Sequence, residues 1–159
     1  MKRKILIMGL PGSGKTTLAK HLAPLFNAVL LNADTVRKEA NDWDFSLEGR
    51  DRQALRMWTL AQEALDDGKT VVADFVCPTV KTRKEFNADY TIWMNTIEES
   101  EYQDTNDMFE RPIVANGDSA DIVITQKDAE TWAYTIFQIV AGEVVWKNFG
   151  KNIKHTIKK

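Results

Sequence analysis

The sequence predicts an α/β fold, a three-layer sandwich in which helices cover both faces of a five-stranded parallel sheet. Short apolar runs rich in Val and Ile alternate along the chain with helical patterns. Apolar runs without polar alternation are typical of strands that are covered on both faces. A chain of 159 residues is long enough to form one domain of this kind with a sizeable core.

Each element follows from one of these two patterns. The apolar runs predict strands at about 4–9, 28–32, 70–75, 89–94 and 120–125. The intervals predict helices at 15–26, 35–42, 47–67, 80–87, 97–103 and 128–141. Two segments fit neither pattern, a turn-rich stretch at 104–118 and a lysine-rich tail at 147–159. We therefore expect one domain over 1–146, with 104–118 as a lid, followed by a solvated basic tail.

Composition limits the classes of function. The formal net charge of −2 argues against a protein that coats nucleic acid, although a local basic patch stays open. The single cysteine, Cys77, excludes an internal disulfide and favours a reducing cytoplasm. No run approaches the ~20 apolar residues that a membrane span needs. We expect a cytoplasmic protein without a membrane partner, and a homodimer remains open.

A phosphate-binding loop follows the first predicted strand. Gly9–Thr16 reads GLPGSGKT, a complete G-x-x-x-x-G-K-[ST] pattern between an apolar strand and a helix. Glycines let backbone N–H groups converge on an anion, and the helix N-terminus adds partial positive charge. The pattern predicts a P-loop NTPase of nucleotide-kinase-like architecture that binds ATP and Mg²⁺. The predicted ATP-binding residues are Gly9, Leu10, Pro11, Gly12, Ser13, Gly14, Lys15, Thr16 and Thr17.

Within this loop, Lys15 is expected to reach the β- and γ-phosphates, and the Thr16 hydroxyl is expected to bind Mg²⁺. Further candidates follow the other strands, because ligands collect at the carboxyl ends of parallel strands. Asp34 follows the second strand, where it fits a base or Mg²⁺ ligand, a helix N-cap, or both. Asp74 ends the third strand, as a Mg²⁺ ligand or a turn residue.

Other residues near these strand ends fit a binding site for the second substrate. Arg37 lies one helical turn after Asp34, where it can meet an anion. Arg50 shares a helix face with the apolar Ala54 and is expected to point inward, where it needs an anion. Phe75 fits either the core or a stacking surface for a base. Cys77 has no nearby activating group, so we interpret it as a small packing residue.

Four motifs together resemble the adenylylsulfate kinases, which phosphorylate the 3′-hydroxyl of adenosine 5′-phosphosulfate with MgATP. The family's G-L-S-G-S-G-K-S-T is matched by GLPGSGKTT at 9–17, and its D-G-D-N-V-R by NADTVR at 32–37. Its F-S-x-x-D-R-x-x-N is matched at Phe45, Ser46 and Arg50, with Gln53 for the Asn. Its A-F-I-S-P-Y-R-x-x-R is matched at Phe75, Pro78 and Arg83, with Cys77 for Ser and Thr79 for Tyr.

The resemblance implies a transferase that makes PAPS for sulfate assimilation, with a nucleotide as its small-molecule partner. It implies acceptor-binding roles for Asp34, Arg37, Phe45, Arg50, Gln53, Phe75, Val76, Cys77, Pro78 and Arg83. Lys15, Asp34 and Arg111 are the expected catalytic residues, and Thr16, Asp34 and Asp74 the expected metal ligands. Here Asn32 replaces an acidic residue of the family, and Asp74 stands where the family has a small residue.

The lid departs furthest from the family. A loop rich in basic residues is missing, and 98–118 contains seven acidic residues and one Arg. Lids over triphosphates supply cations to the transferring phosphate, and this one offers only Arg111. Two alternatives therefore stay open: a P-loop kinase for another nucleoside, nucleotide or polynucleotide end, and a regulatory or degenerate nucleotide-binding module.

Overall fold

The computed structural model describes residues 2–148. Its strands are β1 (Lys4–Met8), β2 (Val29–Asn32), β3 (Val71–Asp74), β4 (Tyr90–Met94) and β5 (Ile122–Ile124). Its α-helices are α1 (Lys15–Leu25), α2 (Ala33–Ala40), α3 (Leu47–Asp66), α4 (Val80–Phe86), α5 (Gln103–Met108) and α6 (Ala129–Asn148), and a 3₁₀ turn covers Val114–Asn116. The predicted order of elements is confirmed. Helix α6 continues through the predicted domain boundary at 146, and the rest of the predicted tail lies outside the described residues.

The five strands form one parallel sheet in the order β2-β3-β1-β4-β5. β1 lies at its centre, with Leu6 opposite Ala73 of β3 on one side and Thr91 of β4 on the other. The chain runs from β1 to one half of the sheet and later crosses to the other half. The carboxyl end of β1, where the phosphate loop begins, therefore lies at the switch point where open α/β sheets bind ligands.

Alternate residues of β1 supply the two halves of the core, because successive strand side chains point to opposite faces. Ile5 and Ile7 pack with α1 and α6, whereas Leu6 and Met8 pack with α2, α3 and α4. All of β1 is buried, as expected for a strand covered on both faces. The predicted three-layer sandwich is confirmed. None of the described helices is long and apolar enough to cross a membrane.

One predicted helix is wrong. Residues 97–102 are irregular, and the helix of this region, α5, begins only at Gln103, the last residue of the predicted helix, and continues to Met108 in the predicted lid. Asn106 explains the difference, because its side chain accepts bonds from the backbone N–H and hydroxyl of Ser100 and donates to the Ser100 carbonyl. These bonds offer the Ser100 backbone partners other than those of a helix.

Candidate functional site

A cleft of about 380 Å³ opens at the carboxyl edge of the sheet, over the phosphate loop. A smaller cavity of about 70 Å³ adjoins it and shares lining residues with it, including Asp34, Phe45 and Arg50. Together the two spaces are lined by nine of the ten predicted acceptor-binding residues. The tenth, Arg83, lines neither of them. The structure thus brings together residues that are spread over 45 positions of sequence, from 34 to 78.

Gly9 and Gly14 of the phosphate loop illustrate two different reasons for glycine in this loop. Gly9 approaches the chain after β4 so closely that a Cβ there would lie 2.7 Å from the carbonyl oxygen of Met94. Gly14 immediately precedes α1 and has a φ of 99°, a left-handed conformation that other residues rarely adopt. The loop therefore passes directly into the N-terminus of α1, where backbone N–H groups and the helix dipole favour an anion.

Three side chains bind carbonyl oxygens of this loop. The Lys15 ammonium donates to Leu10 at 2.9 Å, the Lys127 ammonium to Gly12 at 2.8 Å, and the Thr96 hydroxyl to Ser13 at 2.7 Å. Burial lowers the pKa of Lys15 to about 8, although the carboxylates of Asp74 and Asp34 oppose the shift. Sequence reasoning missed Thr96 and Lys127. Their only sequence signal is that each follows the carboxyl end of a strand, β4 or β5.

The end of β3 meets the end of β2 through an amide–carboxylate contact. The Asn32 amide nitrogen donates to Asp74 at 2.8 Å and to the Thr16 hydroxyl at 3.2 Å. Asp74 is only 2% exposed. Burial raises its pKa, against hydrogen bonds from Asn32 and Thr16 and the charge of Lys15. A buried carboxylate, an amide and a hydroxyl thus form one connected group beside the phosphate loop.

Asp34 does not cap α2. The cap is Asn32, whose side-chain oxygen accepts from the backbone N–H of Thr35, so α2 begins at Ala33. The predicted N-cap role of Asp34 is therefore wrong. Asp34 lies in the first turn of α2, where its carboxylate suits the helix dipole, and it lines the cleft.

Two buried arginines border the cleft among the predicted acceptor-binding residues, and both contact the ring of Phe45. The guanidinium carbons of Arg37 and Arg50 lie 4.4 and 5.5 Å from the centre of that ring. Arg37 donates to the backbone carbonyls of Asp42 and Asp44, at 3.0 and 3.1 Å.

Arg50 joins α3 to the lid. It donates to the Phe45 carbonyl at 2.9 Å and to the buried hydroxyl of Thr105 in α5 at 2.7 Å. It also lies 3.6 Å from the exposed carboxylate of Asp104. The inward orientation predicted for Arg50 is confirmed, and two of its three partners, Thr105 and Asp104, belong to the lid.

Three further predicted residues shape the walls. Gln53 donates to the Ala33 carbonyl at 3.0 Å and so ties α3 to α2. Phe75 packs edge-on against Phe86 at 5.3 Å and is 5% exposed, so it belongs to the core as well as to the cleft wall. Burial raises the pKa of the Cys77 thiol to about 12, which suits the predicted packing role and not a nucleophile.

The remaining two predicted arginines lie away from the cleft. Arg83 donates to the Asp118 carboxylate at 2.6 Å and to the carbonyls of Cys77 and Glu110, at 2.9 and 2.6 Å. These bonds fasten the far end of the lid to α4. The guanidinium of Arg111 lies 4.9 Å from the ring centre of Trp93, in a separate cavity beside Leu10.

Comparison with known proteins places this geometry in a family. A family model described as an AAA domain matches residues 5–90, just over half of the chain. The chain belongs to this family. The matched segment of this AAA-domain protein holds the phosphate loop and the ends of β2 and β3. It ends before the lid and before Lys127.

Relatives and solved structures add a likeness to small-molecule kinases. The adenylyl-sulfate kinase of Shewanella halifaxensis (strain HAW-EB4) is 37% identical over 86 residues, which cover 50% of this chain and 42% of that protein. The AAA-domain chain therefore spans less than half the length of this relative. The APS kinase of Mycobacterium tuberculosis, solved with AMPPNP and APS, superposes with a TM-score of 0.69 at 18% identity, over 87% of this chain and 97% of that one.

A shikimate kinase from Acinetobacter baumannii, solved with shikimate, gives a TM-score of 0.61 at 21% identity, over 88% of this chain and 93% of that one. At these identities, the solved structures confirm the predicted P-loop kinase fold. The predicted resemblance to adenylylsulfate kinases is confirmed as a similarity of sequence and fold. This AAA-domain protein thus shares its fold with P-loop kinases.

Proposed function

We propose that this protein is a MgATP-dependent phosphotransferase that phosphorylates the 3′-hydroxyl of adenosine 5′-phosphosulfate and so makes PAPS. The observation that carries the proposal is one continuous cleft that joins the phosphate loop, two carboxylates and the Arg50–Phe45 wall. The similarity to adenylyl-sulfate kinases supports the choice of acceptor. We propose that this reaction serves sulfate assimilation in the cytoplasm. A homodimer is compatible with this function.

The nucleotide's phosphates would lie in the phosphate loop, against its backbone N–H groups and the N-terminus of α1. The Lys15 ammonium would leave the Leu10 carbonyl and bind the β- and γ-phosphates. Exchanging a neutral carbonyl for phosphate oxygens gives a stronger, charge-assisted hydrogen bond. Burial lowers the pKa of Lys15 in the free loop. The same burial strengthens the attraction between the Lys15 charge and a bound phosphate, because less water screens it.

The residues beside the loop fit a magnesium ion. Mg²⁺ prefers hard oxygen ligands and uses one or two carboxylates together with phosphates and water. Thr16 and Asp74 offer a hydroxyl and a buried carboxylate within one hydrogen-bonded group, and Asp34 lines the same cleft. Among the described residues, no group of three or more His, Cys, Asp or Glu side chains is placed to hold a metal ion by itself. When bound, the ion would neutralise charge on the phosphates.

Asp34 would act as the general base. Free of a capping role and open to the cleft, its carboxylate can accept the proton of the acceptor hydroxyl. The hydroxyl oxygen forms a bond to the γ-phosphorus as the bond from that phosphorus to the β-phosphate oxygen breaks. ADP is the leaving group, and the proton ends on Asp34. Atoms and charge therefore balance without a further reactant.

The acceptor would lie against Phe45 and Phe75, with its anionic group near Arg50 and Arg37. An aromatic base can stack on an exposed ring face, and Phe45 is 45% exposed. A planar guanidinium suits a sulfate or phosphate oxygen pair. The anion would compete with Asp104, which meets Arg50 at the long distance of 3.6 Å.

A second acceptor class is favoured by Arg83. The resemblance implies that this arginine binds the acceptor, yet here it is engaged by Asp118 and two carbonyls. A pocket with fewer available cations suits an uncharged nucleoside better than a phosphosulfate. A nucleotide and a polynucleotide end are further acceptors without the sulfate group. A regulatory module without turnover is less well supported, because Lys15, Thr16 and Asp34 are all present at one cleft.

A labelled-phosphate assay separates these functions. Purified protein is incubated with γ-labelled ATP, Mg²⁺ and, separately, adenosine 5′-phosphosulfate, adenosine, AMP and a 5′-hydroxyl oligonucleotide, with Lys15→Ala as the control preparation. We expect label on adenosine 5′-phosphosulfate with the wild-type protein alone. Label on another acceptor would favour the second class, and no label on any acceptor would contradict a kinase.

A further inference from the structure

Lys127 crosses from the opposite half of the sheet to the phosphate loop. It follows β5, lies 115 positions from Gly12 in the sequence, and donates to the Gly12 carbonyl at 2.8 Å. Its Cγ and Cδ atoms lie 3.7 and 3.8 Å from the position of a Cβ on Gly14. The side chain is therefore laid over the loop where α1 begins. It brings an ammonium group to the place where the N–H groups of the loop favour an anion.

The bond from Lys127 also fixes the shape of the loop. A trans peptide is planar, so its C=O and N–H point in opposite directions. In the Gly12–Ser13 peptide, the carbonyl accepts from Lys127 while the Ser13 N–H donates to the Leu10 carbonyl at 3.2 Å. This peptide is thus held on both edges. The ammonium has three donors, and its bond to Gly12 uses one of them.

The lid makes a cation at this position valuable. Residues 98–118 carry seven acidic side chains and only Arg111, whose guanidinium is engaged by the ring of Trp93. Lys127 comes from a different element and is exposed, so its remaining donors face solvent or ligand. Kinase lids usually supply positive charge to the phosphates, and here the segment after β5 brings a positive charge to the phosphate loop.

We propose that Lys127 is a positioning residue for the nucleotide: it fixes the Gly12–Ser13 peptide and adds positive charge at the phosphate loop that the acidic lid does not provide. The proposal rests on the proposed function only in that the bound anion is a nucleotide. It does not depend on the acceptor or on turnover.

Three substitutions separate the charge of Lys127 from its hydrogen bond. Lys127→Gln keeps a donor and loses the charge, Lys127→Met loses both, and Lys127→Arg keeps both. Lys69→Gln is the matched control, because Lys69 is an exposed lysine that lies before β3, at the opposite edge of the sheet. Calorimetry would measure the Kd for MgATP at low and high salt, and thermal melting of the free proteins would monitor the fold.

Lys127→Gln should raise the Kd for MgATP roughly tenfold at low salt, because a positive charge near the phosphates is lost. Lys127→Met should raise it at least as much, because the hydrogen bond to Gly12 is lost as well. The difference should shrink at about 1 M salt, where exposed charges are screened within ~3 Å. Lys127→Arg and Lys69→Gln should bind within about twofold of wild type, and all four should melt near the wild-type temperature.

The same Kd in wild type and Lys127→Met at low salt would overturn the inference. A loss that Lys127→Arg shares, or that salt does not change, would also overturn it, because it would indicate a packing role alone. A wild-type protein that fails to bind MgATP would instead overturn the proposed function itself. The two failures are therefore distinguishable by the wild-type titration.

Discussion

The two walls of the cleft use their cations in different ways. On the nucleotide wall, which comprises residues 9–17 with Thr96 and Lys127, each ammonium is paired with a neutral carbonyl of the loop. On the acceptor wall, which comprises Arg37, Phe45, Arg50 and Phe75, the guanidinium groups hold backbone carbonyls and part of the lid. To bind an anion, Lys15 on the nucleotide wall would give up a bond to a neutral carbonyl of its own loop, whereas Arg50 on the acceptor wall would give up contacts with the lid. If the acceptor binds as proposed, its binding would be coupled to the position of the lid through Arg50.

The largest effect is expected on the nucleotide wall. Lys15→Ala should reduce turnover more than ~10³-fold, because even one neutral donor at a transition state is worth ~10²–10³-fold. Its melting temperature should equal or exceed that of wild type, since burial opposes the charge of Lys15. Steady-state kinetics and thermal melting check both points. Turnover near the wild-type rate would remove Lys15 from the mechanism.

Asp34 and Asp74 lie between the two walls, and their substitution tests the proposed roles of base and Mg²⁺ ligand. Asp34→Asn should lower kcat at least ~10²-fold, the lower range for positioned acid–base catalysis, with little change in melting temperature because Asn32 is the cap. Asp74→Asn should instead raise the Mg²⁺ concentration needed for half-maximal rate. A Mg²⁺ titration of both variants separates the roles. Unchanged kcat in Asp34→Asn would leave the reaction without the proposed base.

Arg50 and Arg83 form a matched pair on the acceptor side. Arg50→Ala should raise the KM for the acceptor ~10- to 100-fold and the KM for ATP far less, since a charged hydrogen bond is worth ~1.5–3 kcal/mol. Arg83→Ala should mainly lower the free energy of unfolding, by about 3 kcal/mol, because it leaves Asp118 and two carbonyls without their partner. Initial rates and denaturant unfolding measure the two effects. Equal changes in both KM values for Arg50→Ala would contradict the division into walls.

The smallest predicted effect is a pH dependence of the nucleotide wall. With a pKa of about 8 in the free protein, Lys15 is charged at pH 7 and loses its proton as pH rises through 8. Affinity for MgATP should therefore be highest below pH 8 and fall by up to about tenfold per pH unit above it. Calorimetry between pH 7 and 9.5 measures this fall.

Stability should change in the opposite sense over the same window. The unfolded chain holds the Lys15 proton up to its ordinary pKa of 10.5, so between 8 and 10.5 it binds more protons than the folded chain. The contribution of Lys15 to the free energy of unfolding should thus rise with pH there. Lys15→Ala should lack both trends, and a pH-independent affinity in wild type would contradict the shift.

The nucleotide wall was predictable because local sequence patterns define it. The positions of the other site residues and of α5 depend on contacts between residues that are not neighbours in the sequence. The phosphate loop is a short motif beside a Val- and Ile-rich strand, so its position follows from sequence alone. The composition of the acidic segment before Tyr102 favours a helix, but the hydrogen bonds between Asn106 and Ser100 keep this segment irregular. Asn32 and Asp34 both suit a cap, and only the backbone geometry distinguishes them.

Side chains that arrive from distant strands could not be assigned from the sequence. Lys127 reaches Gly12 only because the strands are parallel, so that the carboxyl end of β5 and the phosphate loop after β1 lie on the same side of the sheet. Arg83 matches an acceptor-binding motif of the adenylylsulfate kinases, yet its guanidinium forms an ion pair with Asp118 in the lid. This ion pair depends on the position of the lid against α4, and no local sequence pattern predicts that position.

Phosphorus NMR of one reaction mixture tests the central claim most directly. Wild-type protein, Mg²⁺ and equimolar ATP and adenosine 5′-phosphosulfate are combined, and the phosphorus signals of both nucleotides are followed with time. The account predicts that ADP and a 3′-phosphorylated product appear in equal amounts, and that neither forms with Lys15→Ala. ADP without that product, or no change in ATP at any protein concentration, would contradict it.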